Sequence, residues 1–153
     1  MSAPVVREMS ISNESSNLAQ VRRTVSEILE LTTFERDLRN KIIVAVDEAL
    51  ANVVEHAYQG GIGDIKIRFK VDHATLSVAI RDNGVRFEPG DKLKDHVDIH
   101  KHIKLGLKGG LGLFLMRRIM DEVYFNHDGD DFVNELVMVK NLPQAGEAAQ
   151  EAG

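Results

Sequence analysis

The chain is expected to fold as an α/β two-layer sandwich, with helices on one side of a mixed, mostly antiparallel sheet. Three observations predict this. Residues Ile42 to Val54 place apolar side chains at helical spacing. Residues 65–71 and 76–80 alternate apolar and polar side chains, as strands with one wet face do. The turn-like Asp72-His73-Ala74 between those two segments makes them an antiparallel pair. At 153 residues the chain has room for one well-buried core without metals or disulfides.

An opening strand is expected over Val5 to Ile11, stopped by Ser12-Asn13-Glu14. Ser12 or Asn13 then suits the N-cap of a helix whose stripe is Leu18, Val21, Val25, Ile28 and Leu29. Thr32 or Thr33 can cap the next helix, where Glu35 and Asp37 put negative charge at the favourable end of the dipole. That helix should contain the run from Ile42 and last to about Tyr58. Gln59-Gly60-Gly61-Ile62-Gly63 then breaks it, because closely spaced glycines do not propagate a helix cheaply. After the strand pair, residues 85–108 lose periodicity and read as a mobile lid. Gly109-Gly110-Leu111-Gly112 opens an amphipathic helix carrying Leu113, Leu115, Met116, Ile119 and Met120, with Gly112 marking its start. Two last strands are expected over Val123 to Asn126 and Phe132 to Val139, joined by the turn residues between them. The domain should span residues 1–143, and 144–153, without core-forming side chains, should be a disordered tail.

Composition narrows the function. No cysteine is present, which removes disulfides, thiolate zinc sites and cysteine nucleophiles and suits a reducing cytoplasm. A net charge of -5 argues against general affinity for nucleic acid or anionic lipid. No apolar run approaches a membrane span, and the first residues lack the pattern of a signal peptide, so a cytoplasmic protein without membrane attachment is expected.

Polar residues inside apolar patterns point to chemistry. Asp47, Glu48 and Asn52 interrupt the central helix, and a polar group in a mostly buried helix costs free energy unless it is satisfied or used. Glu48 and Asn52 share one face, and a carboxylate beside an amide oxygen can hold a divalent cation and orient a hydroxyl. Asp47 is rotated by about 100° from that face. Asp82-Asn83-Gly84 follows a strand, and Gly110-Leu111-Gly112 precedes a helix. Taken singly, each has a plainer explanation: a solvated helix face, a turn, a loop exit. His96, His100 and His102 fall in the lid, and no further ligand closes a metal set with them.

The three segments together, in this order and spacing, resemble the N, G1 and G2 boxes of the Bergerat-fold (GHKL) ATPases. The wording DEALANVVEHAY, RDNG and GGLGLFLMRRIMDEV, on a short single domain, is most similar to the serine-protein kinases that act as anti-sigma factors. The resemblance runs from about Val5 to Leu142. It implies ATP and Mg²⁺ as cofactors. Asp82 would accept a hydrogen bond from the adenine amino group, and Gly84 would let the backbone pass close to the base. Asn52 would ligate Mg²⁺, and Glu48 would be the general base toward a seryl or threonyl hydroxyl of a partner protein. Gly110, Leu111 and Gly112 would offer backbone N–H groups to phosphate at a helix N-terminus, with Lys108 adding positive charge. His56, one turn beyond Asn52, would line the same site. Arg86 is the main departure, because the G1 box often has a second glycine there. The implied partners are a STAS-domain anti-sigma factor antagonist and a sigma factor or other regulated effector, and a homodimer through the sheet or the first strand and helix is expected. The alternative is a nucleotide-gated binding module without phosphotransfer; an unrelated sandwich would bind no ATP.

Overall fold

The computed structural model describes residues 3–13, 17–58, 61–86 and 110–144. In chain order it contains β1 (Val5–Ser12), α1 (Leu18–Leu29), α2 (Arg36–His56), β2 (Asp64–Val71), β3 (Thr75–Asp82), α3 (Gly110–Ile119), β4 (Glu122–His127) and β5 (Asn134–Asn141). The strands form one sheet in the order β1-β2-β3-β5-β4, and every neighbouring pair is antiparallel.

Strict alternation decides which face of the sheet is dry. In β2, Ile65, Ile67, Phe69 and Val71 are buried while Lys66, Arg68 and Lys70 are exposed. Register carries that row across the sheet: Ile67 sits opposite Ile80, and Ile80 opposite Leu136. Phe69 pairs with Val78, and Val78 with Met138. Over this apolar face lie Val21, Val25, Ile28 and Leu29 of α1 and Ile42, Val46, Ala49, Leu50 and Val53 of α2. Each large aliphatic side chain buried there contributes about 1.5–3 kcal/mol. Leu113 and Met116 bring α3 against α2. The opposite face carries charge, with Arg68 3.5 Å from Glu8 and Arg81 2.6 Å from Glu135.

The helix starts differ from expectation. The N-cap of α1 is Asn17, not Ser12 or Asn13. Ser12 instead continues β1 opposite Asp64, and the Asn13 side chain donates to the Gly61 carbonyl at 2.7 Å and accepts from the Gly63 N–H at 3.1 Å. A side chain able to cap a helix can equally bind a distant loop, and here the loop before β2 takes it. The N-cap of α2 is Glu35 rather than Thr32 or Thr33. Thr32 is buried and turns back to donate its hydroxyl to the Leu29 carbonyl at 2.6 Å. Helix α3 begins at Gly110, so Gly112 lies inside its first turn. The last strand starts at Asn134 and runs to Asn141, about two residues later than the sequence pattern places it. The expected lid over 85–108 lies, apart from Val85 and Arg86, outside the described residues, as does all of the expected tail except Gln144.

Candidate functional site

The inner face of α2 passes over the ends of β3 and β5. Asn52, Val53 and Ala57 of that segment meet Asp82, Phe125, Asn134 and Leu136 around a cavity of about 20 Å³. This is room for a water, not for a purine. Larger grooves of about 330 Å³ lie away from these residues, one of them on the charged face beside Lys66, Arg68 and Arg81. The small cavity carries the stronger signal, because it joins polar side chains that an apolar core would otherwise reject. Asn52 is 5% exposed, and Asp82 and Asn134 are each 4% exposed.

Asp82 ends β3 on the dry face, opposite Asn134. Its Oδ1 accepts from the Gly84 N–H and from the Asn134 side-chain amide, both at 2.9 Å. The same Asn134 amide donates to the Val85 carbonyl at 2.8 Å, and the Val85 N–H donates to the Ala57 carbonyl at 2.7 Å. Two donors on one oxygen hold the carboxylate in place and leave Oδ2 as the oxygen for an external donor. Gly84 has a sharper constraint than passage beside a base: a Cβ there would lie 1.8 Å from the Ala57 carbonyl oxygen. No side chain fits between this turn and the end of α2.

Tyr58 braces the same corner. Its hydroxyl donates to the Asp64 carbonyl at 2.6 Å and accepts from the Asn83 N–H at 3.1 Å. Burial pushes its phenol above the ordinary range; the Asn83 N–H opposes that, and the carboxylates of Asp82 and Asp64 add to it.

Asn52 is the opposite case. Its Oδ1 is buried and has no hydrogen-bond partner among the described residues. A buried carbonyl oxygen left so costs about 1–3 kcal/mol. It is a hard oxygen donor of the kind Mg²⁺ takes, so the residues present fit the metal. Glu48, one turn earlier on α2, is half-buried and lies outside the lining of the small cavity. Asp47 is engaged elsewhere: Arg22 of α1 reaches its Oδ2 through Nε at 3.1 Å and through a terminal nitrogen at 3.0 Å. That leaves Glu48 as the carboxylate of this segment on the Asn52 side.

Of the residues singled out in the sequence, the structure brings Asn52, Asp82 and Gly84 to one corner and Glu48 to the adjoining turn. Gly110, Leu111 and Gly112 form the first turn of α3, where backbone N–H groups have no intrahelical partners, and α3 packs on α2. His56 is the last residue of α2, and its side chain is outside the described set, as is all of Lys108. His96, His100 and His102 are outside it too; among the described residues no metal-binding cluster of His, Asp or Glu occurs. No described helix is long and apolar enough to cross a membrane.

Sequence reasoning missed Asn134. The signal existed, since Asn134, Leu136 and Met138 share the inward face of β5, and a polar residue in that row is out of place unless it has a partner.

Comparison with known proteins bears on the family and the fold. The family described as histidine kinase-like ATPase domain matches residues 11–140. The serine-protein kinase RsbW of Bacillus cereus (strain AH187) is 33% identical over 124 residues, 79% of this chain and 77% of that protein. RsbW of Bacillus mycoides (strain KBAB4) is similar to the same extent. Among solved structures, the histidine kinase domain from Erythrobacter litoralis EL346 blue-light activated histidine kinase superposes with a TM-score of 0.50 at 17% identity. That match covers 90% of this chain and 64% of that one, and it shows the fold.

Proposed function

The chain belongs to the family of histidine kinase-like ATPase domains, and from that premise we propose that it is an ATP- and Mg²⁺-dependent protein serine/threonine kinase of the anti-sigma type. Its substrate would be a STAS-domain antagonist, and a sigma factor or similar effector would be the partner it holds and releases. The observation that carries the reading is the buried Oδ1 of Asn52, without a partner among the described residues, on the cavity that Asp82 also lines.

In this reading Oδ2 of Asp82 accepts from the exocyclic amine of adenine, while Gly84 and Asn134 hold the carboxylate through Oδ1. Asn52 offers its Oδ1 to the metal. Held there by Asn52, Mg²⁺ would supply positive charge to offset the negative charge that develops on the phosphates. The first turn of α3 presents backbone N–H groups to phosphate. Glu48 takes the proton of the partner's seryl or threonyl hydroxyl; the hydroxyl oxygen bonds to the γ-phosphorus as its bond to the bridging oxygen breaks, and ADP leaves. RsbW relatives named serine-protein kinases support the reaction class.

Incubation with γ-labelled ATP and a STAS-domain protein tests it. Wild type should label the partner, and Glu48→Ala should bind ATP as before yet transfer label about 10²–10⁴-fold more slowly. ATP binding with no transfer by wild type would leave a nucleotide-gated binding module. Transfer by Glu48→Ala at the wild-type rate would remove Glu48 from its role, and no ATP binding by wild type would sink the whole reading.

A further inference from the structure

The segment that follows Asp82 is fastened on two sides. Toward α2, the Asn83 N–H donates to the Tyr58 hydroxyl and the Val85 N–H to the Ala57 carbonyl. Toward the turn between β4 and β5, the Asp82 carbonyl accepts from the Val133 N–H at 3.0 Å, and the Asn83 side chain donates to the Asp131 carbonyl at 3.4 Å. The outermost fastening on that side is an ion pair between the Arg86 guanidinium and Asp128.

Asp128 is itself fixed. It has φ of 55°, the left-handed region that aspartate tolerates better than most residues, and its N–H donates to the Val133 carbonyl at 2.9 Å. The tip of the hairpin is therefore a shaped anchor. Both members of the pair are about half exposed or more, at 49% and 65%, so the pair adds little to global stability. Its position gives it another use. Between Asp82 and Arg86 lie the Gly84 N–H and the Val85 carbonyl, the two backbone groups tied to the Asp82 and Asn134 side chains.

We infer that the Arg86–Asp128 pair is a clasp that positions residues 83–86 and so tunes nucleotide affinity from the β4–β5 turn, without either side chain touching the nucleotide. Arg86 and Asp128 are positioning residues. The inference rests on the nucleotide-binding reading above and deepens it: the exposed carboxylate of Asp128 becomes a point from which salt, or a basic group of a partner, acts on the purine end.

The test is ADP binding by calorimetry for wild type, Arg86→Ala, Asp128→Asn and the double variant Arg86→Ala with Asp128→Asn. Melting of the ligand-free proteins and amide exchange at Val85 are followed alongside. Each single variant should weaken ADP binding by about two- to fivefold, the range an exposed ion pair supplies. Exchange at Val85 should quicken while melting stays at the wild-type temperature, and the double variant should lose no more affinity than either single variant, because the two losses are one interaction. Added salt should weaken wild type toward the single variants. A loss in Arg86→Ala that Asp128→Asn does not share would mean Arg86 acts alone and would overturn the clasp. Equal ADP affinity in all four proteins would overturn it while leaving the nucleotide reading intact. No ADP binding by wild type would overturn both.

Discussion

At the Asp82 end of the candidate site the carboxylate oxygen Oδ1 receives two donors, the Val85 amide and carbonyl are both engaged, and Gly84 is pressed against the Ala57 carbonyl. At the Asn52 end, on the same helix, a buried amide oxygen meets no partner among the described residues and Glu48 stands half-buried beside it. The first end is assembled by the protein for itself and is preorganised without a ligand. The second retains an acceptor that no described residue of the fold takes up. Specificity for a base needs fixed geometry, and metal and phosphate chemistry needs ligating atoms not already consumed by the fold.

The contrast predicts how each end fails. The largest effect on stability is expected at Gly84, where a methyl group would be forced to within 1.8 Å of a backbone oxygen that α2 cannot move cheaply. Gly84→Ala should cost about 3 kcal/mol in urea unfolding and lose nucleotide binding with it. Unchanged stability would show that the turn can part from the end of α2, and the Asp82 end would no longer count as preorganised.

The same substitution at two asparagines should have opposite signs. Asn134→Leu removes the donor to both Asp82 and Val85, and should cost about 2 kcal/mol and weaken ADP. Asn52→Leu removes an acceptor that has no partner among the described residues, and should raise ligand-free stability by about 1 kcal/mol while abolishing the extra stabilisation that Mg²⁺ adds to ATP binding. Thermal melting with and without Mg²⁺-ATP reads both. If Asn52→Leu destabilises the ligand-free protein as Asn134→Leu does, the two ends are not different in kind.

Much of this contrast was legible in the sequence, because alternation and helical spacing are local. Ile65 to Val71 declared a wet and a dry face, Asn52 stood out as a polar residue in an apolar helix, and Asp82 was marked by the Asp-Asn-Gly after its strand and by the family resemblance. The rest depended on contacts far apart along the chain. Asn13 has the chemistry of a cap and is spent on the loop before β2; Thr32 folds back on α1; Gly84 is required by Ala57, which no local pattern connects with it. Asn134 lay within the strand expected from Phe132, on the face a two-residue shift preserves, but its partners Asp82 and Val85 are remote in sequence and no local pattern connects them with it. Asp47 could be set aside on helix geometry alone, yet its pairing with Arg22 needed the packing of α1 on α2.

The smallest effect is expected at Tyr58, which braces the Asp82 end. Tyr58→Phe keeps the ring, against which a Cβ at Gly63 would lie at 2.2 Å, and removes only the hydroxyl that joins Asp64 to Asn83. Loss of those two bonds should cost about 1 kcal/mol at neutral pH and leave ADP affinity within about twofold, since Val85 remains tied to Ala57. The pH dependence gives the sign. The folded-state phenol is raised above its ordinary value of 10.0, so its contribution is complete below that pH and is lost as pH rises through the higher folded value. Urea unfolding of the two proteins should therefore show a constant gap through neutral and mildly alkaline pH that closes only in the strongly alkaline range. A gap that closed well below 10.0 would place the Tyr58 hydroxyl outside the buried corner and weaken the case that this end is built without the ligand.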